Sequence, residues 1–173
     1  MKKLVILFLL VATTTFVQAQ DGLKWENNMK TAIERSQNEQ KPLFLFFTGS
    51  DWCGWCMKLQ NEVFKTPEFV KWANEKVVLV ELDFPRRTQL AAEIQKQNME
   101  LQQLFQVRGY PTVWFAKPVV KDGNTTYEQL GSSGYMPGGP TTWIENANAS
   151  LAKFVPDPKP TKSSKKIKKK VKK

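Results

Sequence analysis

Cys53 and Cys56 are the only cysteines in this 173-residue sequence, and it has no histidine. The lack of histidine removes Ser-His-Asp triads, His-activated nucleophiles and nearly all zinc sites. Chemistry therefore falls to the thiol pair or to carboxylates. With two residues between them the cysteines lie about one helical turn apart and can close a disulfide and open it again. If a helix starts here, Cys53 sits at its N-terminal edge. Unpaired backbone N–H groups and the positive end of the helix dipole there stabilise a thiolate and lower its pKa below ~8.5. Cys53 is then the attacking sulfur, and Cys56, turned inward, resolves the mixed disulfide. An inert staple is the bland alternative, but so short a loop constrains the unfolded chain little. A third use is a Cu(I) site on two soft thiolates. It would need a further ligand, and Met57 is the nearby candidate.

The flanking periodicities say what must hold this pair. Leu43–Phe47 is a continuous apolar run between turn signals, as in a parallel strand buried on both faces. Thr48-Gly49-Ser50-Asp51 reads as a loop whose polar side chains can cap a helix start. Cys56, Leu59, Val63 and Phe64 then keep helical spacing, and Thr66-Pro67 restarts a helix with Thr as cap and Pro at its first position. Trp25, Met29 and Ile33 mark a helix ending near Gln40, before Pro42. Val77–Leu82 is a second buried strand. A Gln-rich segment, 86–106, predicts a long helix with Leu90, Ile94, Leu101, Leu104 and Phe105 on one stripe. Residues 112–116 and 126–130 read as two further strands about an Asp122-Gly123 turn, and Trp143, Ala147, Leu151 and Phe154 as a last helix. Strands alternating with helices predict an α/β fold, a central mixed sheet with helices on both faces.

Trp52-Cys53-Gly54-Trp55-Cys56 between a buried strand and a helix, with Gly109-Tyr110-Pro111-Thr112 opening a strand about 55 residues later, resembles the thioredoxin superfamily. The stretch from Gly49 to Cys56, with Val63-Phe64 and Pro67-Glu68-Phe69-Val70 after it, is similar to secreted bacterial thioredoxin-like proteins, and the resemblance covers about residues 22–155. It implies a thioredoxin fold and thiol-disulfide exchange on protein or small-molecule disulfides. The Cys53–Cys56 disulfide would be the redox group, with no cofactor and no metal. It also implies a cis-proline at Pro111, lying against the cysteines. Arg108, Gly109 and Tyr110 would then offer their backbone to an extended substrate by strand addition. Trp52, Gly54 and Trp55 support the pair, the two indoles as packing and as an apolar rim for partly unfolded substrates.

Three departures from the family pattern carry consequences. Gly54-Trp55 lacks the His that stabilises the thiolate of isomerases and strong oxidants, so the pair should be more reducing than theirs. The buried acid of thioredoxin would fall at Phe46 or Phe47, both apolar, which removes the usual proton relay. Glu81, interrupting the second buried strand, is a substitute relay to Cys56; its alternative is a solvent-facing acid at a strand end, as expected of Asp83. The length of the Gln-rich segment has no functional counterpart.

The net charge of +10 sits at the ends. Lys2 and Lys3 contribute +2, and nine Lys against Asp157 contribute +8 over residues 156–173; 15 basic and 15 acidic residues cancel over 20–155. A neutral body argues against a nucleic-acid groove. Two lysines, an apolar run and Val17-Gln18-Ala19 read as a cleaved signal peptide over 1–19. The expected organisation is signal 1–19, thioredoxin-like domain 20–155 and a disordered Pro/Lys-rich tail 156–173. Such a protein is periplasmic or secreted, acts on disulfide-containing proteins or small thiols, and draws electrons from a membrane donor. Its tail has the charge to adhere to an anionic envelope surface. The competing function class is a non-catalytic thioredoxin-fold module binding peptides or Cu(I).

Overall fold

The computed structural model describes residues 22–157. The signal-peptide assignment at 1–19 and all of the tail beyond Asp157 lie outside them. Eleven segments follow in chain order: β1 (Trp25–Glu26), α1 (Met29–Glu39), β2 (Leu43–Thr48), α2 (Gly54–Leu59) with a π-helical turn (Gln60–Phe64), α3 (Pro67–Lys76), β3 (Val78–Asp83), α4 (Ala92–Leu104), β4 (Thr112–Lys121), β5 (Asn124–Ser133) and α5 (Gly139–Leu151). The strands form one mixed sheet in the order β1-β3-β2-β4-β5. β2 pairs parallel with β3 and antiparallel with β4, and β4 pairs antiparallel with β5.

Alternation along β2 divides the core. Phe44 and Phe46 join α2, α3 and α5 through Phe64, Phe69 and Trp143 on one face. Leu43, Leu45 and Phe47 join α1 and α4 through Ala32, Leu101 and Phe105 on the other. Every residue of β2 is buried, which is why its apolar run is unbroken. The expected mixed sheet with helices on both faces is what forms.

Local chemistry sets several boundaries. The Asn28 side chain accepts the backbone N–H of Lys30 and Thr31 and so starts α1. Trp25 is therefore not on the α1 stripe: it lies in β1, pairs with Leu79, and packs on Phe44, Phe46 and Phe64. Thr66 caps α3, accepting the Phe69 N–H at 3.3 Å, with Pro67 at the first position. Asp122 and Gly123 both have positive φ, as a tight hairpin turn requires. The hairpin they close runs through Lys121 and Ser133, well past the predicted strands.

The Gln-rich segment departs furthest from its sequence pattern. Helix begins only at Ala92, leaving Leu90 in a loop, and Leu104 is 52% exposed. Asn98 is buried in its place, donating from Nδ2 to the Asp83 carbonyl and accepting from Gln97. A polar residue can sit on the inner stripe because its amide is fully engaged.

Candidate active site around the Cys53–Cys56 pair

Cys53 and Cys56 are joined by a disulfide with Cα atoms 5.2 Å apart. Cys53 is the residue that caps α2: its backbone is extended, and its Sγ accepts the Cys56 N–H at 3.2 Å. Of the polar loop side chains expected to cap this helix, Ser50 is bound to Asp83 and Asp51 to the Arg86 and Arg87 N–H groups. An N–H aimed at Sγ favours negative charge there, the electrostatic requirement of an attacking thiolate. Cys53 is 5% exposed and Cys56 is fully buried, so Cys53 is the outer residue of the pair. Gly54 is exposed, and a Cβ there would meet nothing.

The Tyr110–Pro111 peptide bond is cis. Arg108 and Gly109 are exposed, Tyr110 is half-buried, and the Tyr110 ring packs on Trp52 at 5.8 Å and on Phe84 at 5.2 Å. The loop that opens β4 is thereby tied to the residue before Cys53. The Tyr110 hydroxyl accepts from Gln102 at 2.8 Å, and burial pushes its pKa up, so it stays a neutral phenol.

The two indoles differ in their surroundings. Trp52 is half-buried, donates from Nε1 to the Phe84 carbonyl at 2.8 Å, and carries the Arg86 guanidinium 3.8 Å over its ring. A Cβ at Gly49 would lie 2.5 Å from this indole, so residue 49 must be glycine for Trp52 to sit where it does. Trp52 is thus a covered strut rather than an open apolar rim. Trp55 is 57% exposed, packs at a tilt on Tyr135 at 5.0 Å, and shares with it the Lys58 ammonium, about 5 Å from both rings. The Tyr135 hydroxyl donates to Glu62 at 2.8 Å.

Below the pair, Glu81 sits opposite Phe46 in the β2–β3 register. Leu79 and Phe46 belong to the core cluster that contains both cysteines, and side chains two residues apart on a strand share a face. Glu81 is therefore on the cysteine face of the sheet. Burial, with Asp83 adding to it, holds its carboxyl above the ordinary value. Asp83 stands at the strand end as expected, and its carboxylate accepts the Ser50 N–H at 2.8 Å and the Ser50 hydroxyl at 2.6 Å. Asp51 accepts the N–H groups of Arg86 and Arg87, which holds its carboxyl below the usual range. The loop before Cys53 is thus bound twice, to the last residue of β3 through Asp83 and to the loop after it through Asp51.

Sequence reasoning missed Arg86, Lys58, Tyr135 and the two loop carboxylates. Lys58 is three positions from Trp55, but the other partners are 33 to 80 positions away, beyond any local spacing. Met57 is 43% exposed whereas Cys56 is fully buried, so the two sulfurs meet different surroundings. Among the described residues no group of three or more His, Cys, Asp or Glu is placed to hold a metal ion.

A mixed sheet with helices on both faces, a Cys-x-x-Cys disulfide at the start of a helix and a cis-proline loop beside it define a thioredoxin-fold thiol-disulfide oxidoreductase whose redox group is its own disulfide. Residues 29–147 match the thioredoxin-like domain family, and the chain belongs to that family. It is 35% identical over 133 residues to the disulfide bond reductase DsbH of Chlamydia pneumoniae, covering 77% of this chain and 75% of that protein. It is also 30% identical over 144 residues to the thioredoxin-related protein DsbJ of the same organism, covering 77% of this chain and 41% of that one. A solved DsbH oxidoreductase superposes with a TM-score of 0.67 at 33% identity, covering 76% of this chain and 86% of that one. A Thermus thermophilus thioredoxin shares the fold at a TM-score of 0.56 and 18% identity, covering 77% and 90%.

Proposed function

We propose that this protein is a disulfide reductase of the bacterial cell envelope, acting on protein disulfides through a Cys53/Cys56 dithiol. The observation that carries it is the asymmetry of the pair: the Cys56 N–H reaches Cys53 Sγ, and Cys56 is fully buried. The Cys53 thiolate attacks a substrate disulfide and releases one substrate thiol. Cys56, deprotonated, attacks Cys53 Sγ, so the dithiol is oxidised and the second substrate thiol leaves. Glu81 takes the Cys56 proton in this reading, a carboxyl with a raised pKa on the same face of the sheet. The backbone of Arg108, Gly109 and Tyr110 before cis-Pro111 pairs with an extended substrate. Trp55, exposed beside Cys53, supplies apolar contact.

The reducing direction is supported by Gly54-Trp55, which places no cationic imidazole between the cysteines. A potential near about −270 mV, as in thioredoxin, is expected rather than about −120 mV. The name of the DsbH relative points the same way. An oxidising compartment would discharge such a dithiol, so a membrane electron donor belongs to this reading, with the Lys-rich tail holding the protein near an anionic surface.

The testing experiment is trapping. Cys56→Ser should accumulate a mixed disulfide with substrate through Cys53, and Cys53→Ser should trap nothing. Equal trapping by both would overturn the assignment of roles. A midpoint above about −180 mV in a glutathione titration, the isomerase range, would overturn the direction.

A further inference from the structure

Behind Trp52 lies a cleft of about 390 Å³, lined among others by Phe84, Arg86, Arg87, Gln89 and Gln95, with Asp83 in its wall. Two of its lining residues touch side chains next to the redox pair and the cis-proline. Arg86 both lines the cleft and covers the indole next to Cys53. Phe84, on the cleft wall, packs on Tyr110 beside the cis-proline. Trp52 precedes Cys53 and carries Arg86 3.8 Å over its ring; since an extended peptide advances about 3.3 Å per residue, the side chains near Arg86 are those a few residues from a disulfide held at Cys53.

The charges of the cleft are unevenly satisfied. The Asp83 carboxylate is taken up by Ser50, and that of Asp51 by the Arg86 and Arg87 amides. Neither Arg86 nor Arg87 has a carboxylate within ion-pair distance of its guanidinium among the described residues. Asp51 still attracts Arg87 from the neighbouring loop, so Arg86 offers the freer charge. A guanidinium lying over an indole still has N–H groups to offer a carboxylate.

We infer that this cleft is a specificity subsite, selecting protein substrates that carry acidic residues two or three positions from the disulfide. The inference rests on the reductase reading and names its substrate class. Phe84 and Leu90 give the flanking chain apolar contact there, while Arg86 and Arg87 bind its carboxylates.

The test uses the reduced full chain in single-turnover oxidation. The substrates are two peptide disulfides that differ only in Glu or Gln at the second and third positions on both sides of the cysteine. Hydroxyethyl disulfide serves as neutral reference. The Glu peptide should react about three- to tenfold faster, the size of one or two exposed ion pairs, and high salt should erase the difference. The Arg86→Gln/Arg87→Gln double variant should bring the Glu-to-Gln ratio to about one. Arg86→Glu/Arg87→Glu should invert it in favour of the Gln peptide. The ratio within each variant cancels any general loss of activity. A wild-type ratio near one, or a preference that survives both double variants, overturns the subsite. Glutathione disulfide run alongside separates the sources: an Arg-dependent gain confined to it overturns the assignment to peptides. Failure of wild type to reduce hydroxyethyl disulfide or either peptide overturns the reductase reading and the subsite with it.

Discussion

Glu81 carries a half-buried carboxyl on the cysteine face, with its pKa raised by burial and by Asp83. An acid whose folded pKa exceeds its unfolded value costs stability once pH rises above the unfolded value, because the folded state holds the proton longer. The penalty is absent below about pH 4.5, the ordinary value for this group, and is fully present above the raised folded pKa. Glu81→Gln should therefore melt at a higher temperature than wild type at neutral pH, and the gain should vanish as pH falls below that value. If Glu81 also relays the Cys56 proton, the same variant should slow resolution of a Cys53 mixed disulfide about tenfold or more. Stopped-flow tryptophan emission reads the second effect, and differential scanning calorimetry the first. A variant more stable but equally fast would leave Glu81 as a buried acid without a catalytic task.

At the level of elements, the site is held by loops clamped between strand ends. Asp83, the last residue of β3, anchors Ser50 through two hydrogen bonds, and Asp51 anchors the loop after β3 through backbone N–H groups. Asp83→Ala removes both Ser50 bonds and should cost about 1–2 kcal/mol, lowering Tm by a few degrees. Amide exchange should quicken over residues 49–52, where Trp52 takes its position. Asp83→Asn keeps an acceptor and should recover part of the loss. Thr66→Ala tests an element apart from the chemistry. It deletes the cap of α3 and should cost about 1 kcal/mol, with single-turnover rates at Cys53 unchanged within a factor of about two. A large loss of rate there would show that α3 transmits its position to the site.

The whole molecule separates a neutral body from charged ends. Deleting residues 158–173 removes nine lysines and nothing from the described core. Lys117 binds the Val155 carbonyl at 2.8 Å and Asp157 at 2.7 Å, so the chain is already fastened where the deletion begins. Tm and peptide-disulfide reduction should be unaffected. Binding to vesicles rich in anionic lipid should fall sharply, and in the full chain it should weaken as salt rises. A Tm lowered by more than a few degrees would mean that the tail packs on the domain. No helix among the described residues is long and apolar enough to cross a membrane.

Much of this was legible in order along the chain. The β2 run, the Thr66-Pro67 restart, the Asp122-Gly123 turn and the Cys-x-x-Cys between a strand and a helix are local patterns, and hydrophobic period, capping and turn chemistry determine them within a few residues. Other features depend on residues that meet only after folding. Trp25 has helical spacing to Met29, yet β1 wins it because the edge of β3 and the aromatic core beside Phe44 bury more of the indole than one more turn of α1 could. Asn98 takes an inner position because the Asp83 carbonyl needs a donor there. Cys53 and Cys56 announce a dithiol by spacing alone. That Arg86 lies on Trp52, that Glu81 shares the cysteine face of the sheet, and that the loop before Cys53 is bound to the end of β3 and beyond it through Asp83 and Asp51 are settled by strand order and register, because the groups concerned are distant in sequence.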